Sequence, residues 1–209
     1  MGKLTFDKLV KHFNKVVSHR YYVFKYCRMA GIPVQGLIHD ISKFSPTEFI
    51  ESARYYVGTD SPINLCKKEN GISYAWMHHK GRNPHHYEYW QDNFDNGGNP
   101  VEMPYKYAVE LICDYLGAGE AYQGKDFTFE SEFYWWMDRL TKKNIAMHEK
   151  TIVFVTIVLY GIGLKSDTFH LNKYFLQEIW DYIHIGTNDY LYMFKDIVEL
   201  YMKGIIEKV

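Results

Sequence analysis

Six of the ten histidines fall between His19 and His86, and four of those crowd into nine residues: His78, His79, His85 and His86. Imidazole near neutrality serves as a metal ligand, as a proton carrier, or simply as a packing group. Carboxylates stand among these histidines. Asp40 directly follows His39 in GLIHDISKF, behind two aliphatic residues. Neighbours on a helix diverge by about 100°, so the two side chains can share a metal only at the helix edge. A carboxylate placed there can also bridge two metals, which an imidazole cannot. Asp114 lies in YAVELICDYLGAG, where a charge among apolar residues is costly without a cation. A lysine or arginine partner answers that need as well as a metal does.

Helical phase separates some of the histidines. His19 follows Val16 by three residues and precedes Val23 by four, which puts it on or beside an apolar stripe. His12 shares that stripe, and a packed core histidine satisfies either position. His79 continues the line Ile72, Ala75, Trp76, whereas His78 falls off it, so His79 is expected to point inward. His86 shares a face with Trp90 and Phe94. His85 sits in the first turn of the same expected helix, where a solvent-facing cap residue fits equally well.

The elements that must position these groups are helices. Residues 5–30 form one amphipathic helix on the repeat Phe6, Leu9, Val10, Phe13, Val16, Val17, Val23, ended by Gly31 and Pro33. Shorter helices follow over 34–44, 47–57 and 72–80, with a turn at 58–62. A further helix is expected to start at Pro84 with Asn83 as its N-cap. Residues 95–104 and 117–126 read as loops flanking a helix over 105–116, and three or four helices fill the remainder. Strand alternation and internal repeats are absent. The expectation is a single all-α domain, with a core over residues 1–126 and C-terminal helices over 127–209 packed on it.

Composition narrows the setting. Lysine plus arginine number 24 against 25 acidic residues, and without a basic run nucleic acid is not expected as a partner. Cys27, Cys66 and Cys113 are odd in number and form no CxxC pair, which excludes a disulfide framework. The polar N-terminus lacks a signal peptide's apolar core, and the longest apolar run, residues 151–164, falls short of the roughly 20 residues that span a bilayer. A cytoplasmic protein without membrane attachment is expected. The oligomeric state is left open.

The order His19, His39–Asp40, His79, His85–His86, Asp114 resembles the HD-domain superfamily of metal-dependent phosphohydrolases, in which each ligand comes from a different helix. LIHDISKF is similar to that family's core motif, with Ser42 where glycine is common and Lys43 at the usual lysine. The run from HDISKFSPTEF through HHYEYW also resembles an uncharacterised family of HD-like proteins from bacteria and phages. The resemblance implies a first metal on His19, His39, Asp40 and Asp114, and a second on Asp40, His79, His85 and His86. One or two divalent ions of Mn, Fe, Co, Ni or Zn suit such mixed ligands. It further implies hydrolysis of a small phosphorylated substrate such as a nucleotide. Asp40, Lys43 and Arg82 are then the catalytic candidates, and Lys80 is a further candidate to hold phosphate. Two other readings fit the ligand set: a di-iron oxygenase of HD fold, and a non-catalytic, metal-stabilised binding module.

Two partial motifs and two isolated histidines carry nothing. His148–Glu149 opens like HExxH, but Ile152 stands where the second histidine belongs; Gly119 to Lys125 fits GxxxxGK, but Asp126 replaces the Ser/Thr. His170 and His184 lack partner motifs and are expected to pack or cap.

Overall fold

The computed structural model describes residues 3–92 and 98–204. Helix α1 spans Phe6–Met29; the Thr5 side chain caps it by accepting from the Lys8 amide at 3.3 Å, and Gly31 at φ 81° ends it. The face it buries carries His12, Val16, His19, Val23, Tyr26 and Cys27. Phe6, Val10, Phe13 and Val17, part of the expected apolar stripe, lie exposed. Apolar residues occupy two adjacent stripes of this helix, and the partner helix selects one of them.

That partner is α6, Tyr105–Gln123. It runs seven residues beyond the expected end at Leu116, through Gly117 and Gly119. A methyl group added at Gly117 would come within 2.5 Å of Val23 Cγ2 and 2.8 Å of its backbone nitrogen. The glycine here allows two helix backbones to touch and does not mark a loop.

Between them the chain forms α2 (Pro33–Ile38), a 3₁₀ turn over Ile41–Phe44, α3 (Pro46–Tyr55), α4 (Pro62–Asn70) and α5 (Tyr74–Lys80). One expectation needs correction here. The helix expected over 34–44 stops at Ile38, so His39 and Asp40 occupy a turn and not a helix edge. Helix α4 follows the expected turn, started by Pro62 in its first turn and closed by Gly71 at φ 75°.

No helix begins at Pro84. A turn leads to a single 3₁₀ turn over Tyr87–Tyr89. With no helix there to cap, Asn83 serves otherwise: its amide donates to the Ser42 hydroxyl and to the His79 carbonyl, both at 2.8 Å. Phe94 and residues 95–97 of the expected loop lie outside the described residues.

Four helices complete the chain: α7 (Phe129–Lys142), α8 (Glu149–Leu164), α9 (Lys173–Ile185) and α10 (Asp189–Met202). One core runs through α1, α6 and these four, with Trp136, Phe133, Phe154 and Leu111 fully enclosed. The C-terminal helices therefore share the hydrophobic core of the N-terminal ones. Helix α8 is apolar on most of its surface, and its buried Thr156 hydroxyl is used, accepting from the Trp136 indole at 2.8 Å. The described residues contain ten α-helices and no strand, an all-α fold as expected. None of the described helices is long and apolar enough to cross a membrane.

Candidate metal centre

His39 and Asp40 are presented by a break in the chain between α2 and the following 3₁₀ turn. Asp40 adopts φ 55° and ψ 25°, and it is the one described non-glycine residue with positive φ. That conformation costs roughly 1–2 kcal/mol for an L-residue, and it persists where surrounding contacts enforce it. Arg20 on α1 supplies two of them, donating from Nε to the His39 carbonyl and from Nη2 to the Leu37 carbonyl, each at 2.8 Å. The Lys43 amide closes the turn onto the Asp40 carbonyl at 3.0 Å.

The two oxygens of Asp40 face different partners. Oδ2 lies 3.4 Å from His19 Nε2 and 3.2 Å from His39 Nε2. Asp114 Oδ1, projecting from α6, stands 3.1 Å from His19 Nε2 and 3.5 Å from His39 Nε2. Oδ1 of Asp40 lies 3.3 Å from His79 Nε2 and 3.4 Å from His85 Nε2, and His86 Nε2 stands 2.8 Å from His79 Nε2. All seven expected ligands thus converge, as the quartets His19, His39, Asp40, Asp114 and Asp40, His79, His85, His86. Asp40 is common to both. Tetrahedral donors about 2.1 Å from one ion stand roughly 3.4 Å apart, so most of these separations match the edges of a metal coordination shell.

Two carboxylates that the sequence reading missed hold the imidazoles in place. Glu110 on α6 accepts through Oε1 from His39 Nδ1 at 3.0 Å and His85 Nδ1 at 3.1 Å, while its Oε2 accepts from the Gln35 amide at 2.7 Å. Glu48 on α3 accepts from His79 Nδ1 at 2.7 Å and from His78 Nδ1 at 2.6 Å. A carboxylate on Nδ1 fixes the ring and turns Nε2 toward the centre. Glu110 carried one usable signal: it precedes Asp114 by one helical turn, on the same face of α6. Glu48 was masked by its place three residues after the N-cap Ser45, where a glutamate ordinarily reads as a capping partner.

The electrostatics call for positive charge. Burial opposes ionisation of Asp40, yet His39, Lys43 and His79 outweigh it and hold the carboxyl well below the usual range. Burial also opposes charge on His39, and Asp40, Asp114 and Glu110 overcome it, raising its pKa well above the ordinary value. Glu110 is buried too, and its hydrogen bonds from His39 and His85 lower it to about 2. His86 is held neutral by burial and by His85 and His79 beside it.

Oδ1 of Asp40 and Nε2 of His85 are buried without a hydrogen bond, while Oδ2 of Asp40 pairs with the Lys43 ammonium. Such orphaned donor atoms among mixed imidazole and carboxylate groups fit a transition-metal ion. The cluster can hold a metal.

A cavity of about 250 Å³ opens onto this centre, with His19, His79, His86 and Asp114 at its floor. Lys43, Lys15, His12, Tyr56, Trp76 and Tyr122 also line it. The Lys43 ammonium lies 2.5 Å from Asp40 Oδ2. His12, indistinguishable from His19 by helical phase, is no part of the cluster; it packs on Phe49 and Tyr56.

His78 stays outside both quartets. Arg82 is exposed, its guanidinium 3.5 Å from the His78 carbonyl, and neither Arg82 nor Lys80 lines the cavity. The phosphate-holding place given to these two residues therefore does not coincide with the cavity. His184 packs as expected, stacked on Trp180 and hydrogen-bonded to Glu102. Residues 119–123 of the apparent GxxxxGK motif continue α6 and form no phosphate loop.

The fold and centre define an all-α protein with a buried His/Asp/Glu cluster able to hold metal, bridged by one aspartate. The chain belongs to a family of unknown function, DUF5662, whose model matches residues 8–159. That span includes every residue of the cluster. No curated protein and no solved structure matches the chain.

Proposed function

We propose that the protein is a metal-dependent phosphohydrolase acting on a small phosphate ester, such as a nucleotide. The observation that carries this reading is the division of Asp40, one oxygen toward each ligand quartet, beneath a cavity walled by Lys43 and Lys15. The ordered ligand set and the LIHDISKF segment, similar to HD-type hydrolases, support the same reading. Manganese, iron, cobalt, nickel or zinc would suit the donors, and such an ion supplies an acidified water and polarises a phosphoryl oxygen.

The chain's own groups supply the rest. Lys43 is positioned to place its ammonium against a phosphoryl oxygen in the cavity and to offset charge that develops there. Lys15 adds a second positive charge from α1, its ammonium now hydrogen-bonded to the Ala121 carbonyl at 2.7 Å. Glu48 and Glu110 keep the imidazoles aimed while substrate enters.

The test is phosphate release from a panel of nucleotides and sugar phosphates, with Mn and Fe supplied separately, in air and under anaerobic conditions. Release that depends on metal and ignores dioxygen is expected. Lys43→Ala should keep its metal and lose about a hundredfold in kcat/KM. Oxygen consumption coupled to product, without phosphate release, would replace this reading with a di-iron oxygenase. Bound metal with silence in both assays would leave a binding module.

A further inference from the structure

A second cavity of about 330 Å³ adjoins the first, and Ser61, Ala118 and Tyr122 line both. Ala118 lies one helical turn beyond Asp114, a rise of about 6 Å along α6. The character of the wall changes across that boundary. The first cavity is lined by Lys15, Lys43 and the metal-facing imidazoles. No lysine, arginine or histidine lines the second; Glu132, Asp60, Tyr115, Tyr122 and Trp135 do.

Glu132 is the telling residue. It is only 3% exposed, and among the described residues no side chain hydrogen-bonds or pairs with its carboxyl. Burial and the charge of Asp114 push it up to about 8, the behaviour of an acid without a counter-charge. Its room is built by Gly119, where an added methyl group would strike the Glu132 carboxylate and the Phe127 ring. The aromatic rings nearby already attract cations: the Lys15 ammonium stands 4.7 Å from the Tyr122 ring, and the Arg139 guanidinium 5.6 Å from Trp135. Neither of these two cations reaches the Glu132 carboxyl.

We infer that this second cavity binds an organic ammonium group, held by Glu132 and the Tyr115, Tyr122 and Trp135 rings. A carboxylate and several aromatic rings lining one cavity are the recognition chemistry of such cations. Combined with the adjoining metal centre, the substrate class becomes a phosphate ester with an ammonium group on a short spacer. The phosphate end of that class rests on the hydrolase reading; the ammonium site does not.

The test therefore uses binding without turnover. Choline chloride and its neutral isostere 3,3-dimethylbutanol are titrated into the metal-loaded protein, with tryptophan fluorescence and calorimetry as readouts. Choline is expected to bind at least tenfold more tightly than the alcohol. Glu132→Gln should weaken choline at least tenfold with metal content unchanged, and Trp135→Ala, at a half-exposed position, should weaken it severalfold. Equal binding of choline and the alcohol, or choline affinity unchanged in Glu132→Gln, would overturn the inference. So would absence of choline binding to the folded, metal-loaded protein. Choline binding with no phosphatase activity on any ester would refute the hydrolase reading and leave the ammonium site standing.

Discussion

Removing Glu110 tests whether the centre depends on carboxylates that hold the imidazoles from outside the two quartets. Oε1 of Glu110 takes the Nδ1 protons of His39 and His85, at 3.0 and 3.1 Å. His39 belongs to one quartet and His85 to the other, so a single substitution should loosen both. Partners of this kind are worth about 10- to 100-fold in metal affinity, or about 1.4–2.8 kcal/mol. Glu110→Gln keeps an acceptor without charge and is expected near the tenfold end. Glu110→Ala also releases Gln35 and is expected near a hundredfold. By contrast Glu48→Gln touches only His79 within the cluster and should weaken the second quartet alone.

Competition against a fluorescent chelator measures the affinity, with circular dichroism confirming the fold. Thermal unfolding gives an independent reading, because a metal bound only by the folded state stabilises it in proportion to the logarithm of affinity. A tenfold loss at fixed metal removes about 1.4 kcal/mol, which corresponds to a fall of roughly 3–6 °C in Tm for a chain of this size. A folded Glu110→Ala protein with both metal affinities within twofold of the parent would refute the argument that Glu110 orients the rings.

Three further outcomes follow from the same geometry. His79→Ala should lose the second metal while His78→Ala retains both, since both rings sit on Glu48 but only His79 reaches Asp40; metal analysis giving the reverse would refute the assignment. Burial and the charge of Lys43 lower His12 to about 4 from an ordinary 6.5. The unfolded chain then binds the proton more tightly, so stability is flat above pH 6.5 and falls as pH drops toward 4. At about 1.4 kcal/mol per pH unit the gap comes to about 3 kcal/mol, and urea unfolding of His12→Phe should lack this share of the acid sensitivity. Gly117→Ala should cost about 1–3 kcal/mol by overpacking against Val23; denaturation that shows no loss would mean the two helices separate freely there.

The sequence by itself determined that the chain is helical and, through the order of its histidines and aspartates, seven of the side chains that converge in the cluster. Helical repeat and turn residues placed α1, α3, α5 and the core of α6, because those signals are local. The cluster residues His19, His39, Asp40, His79, His85, His86 and Asp114 were legible because costly polar groups in apolar settings stand out, and because their order resembles a known pattern. Tertiary structure alone decided how those ligands are held. Glu110 meets His39 across 71 residues and Glu48 meets His79 across 31, and no local periodicity records such a pairing. It also decided which stripe of α1 is buried, since Phe13 and Val16 are both apolar and the packing of α2, α3 and α6, with the close crossing of Val23 on Gly117, favours one face. The same crossing makes a helix of a glycine-containing stretch that reads locally as a loop. The left-handed turn at Asp40 is imposed in the same way: Arg20, on another helix, grips the carbonyls on either side of Ile38 and turns the carboxylate to face both quartets.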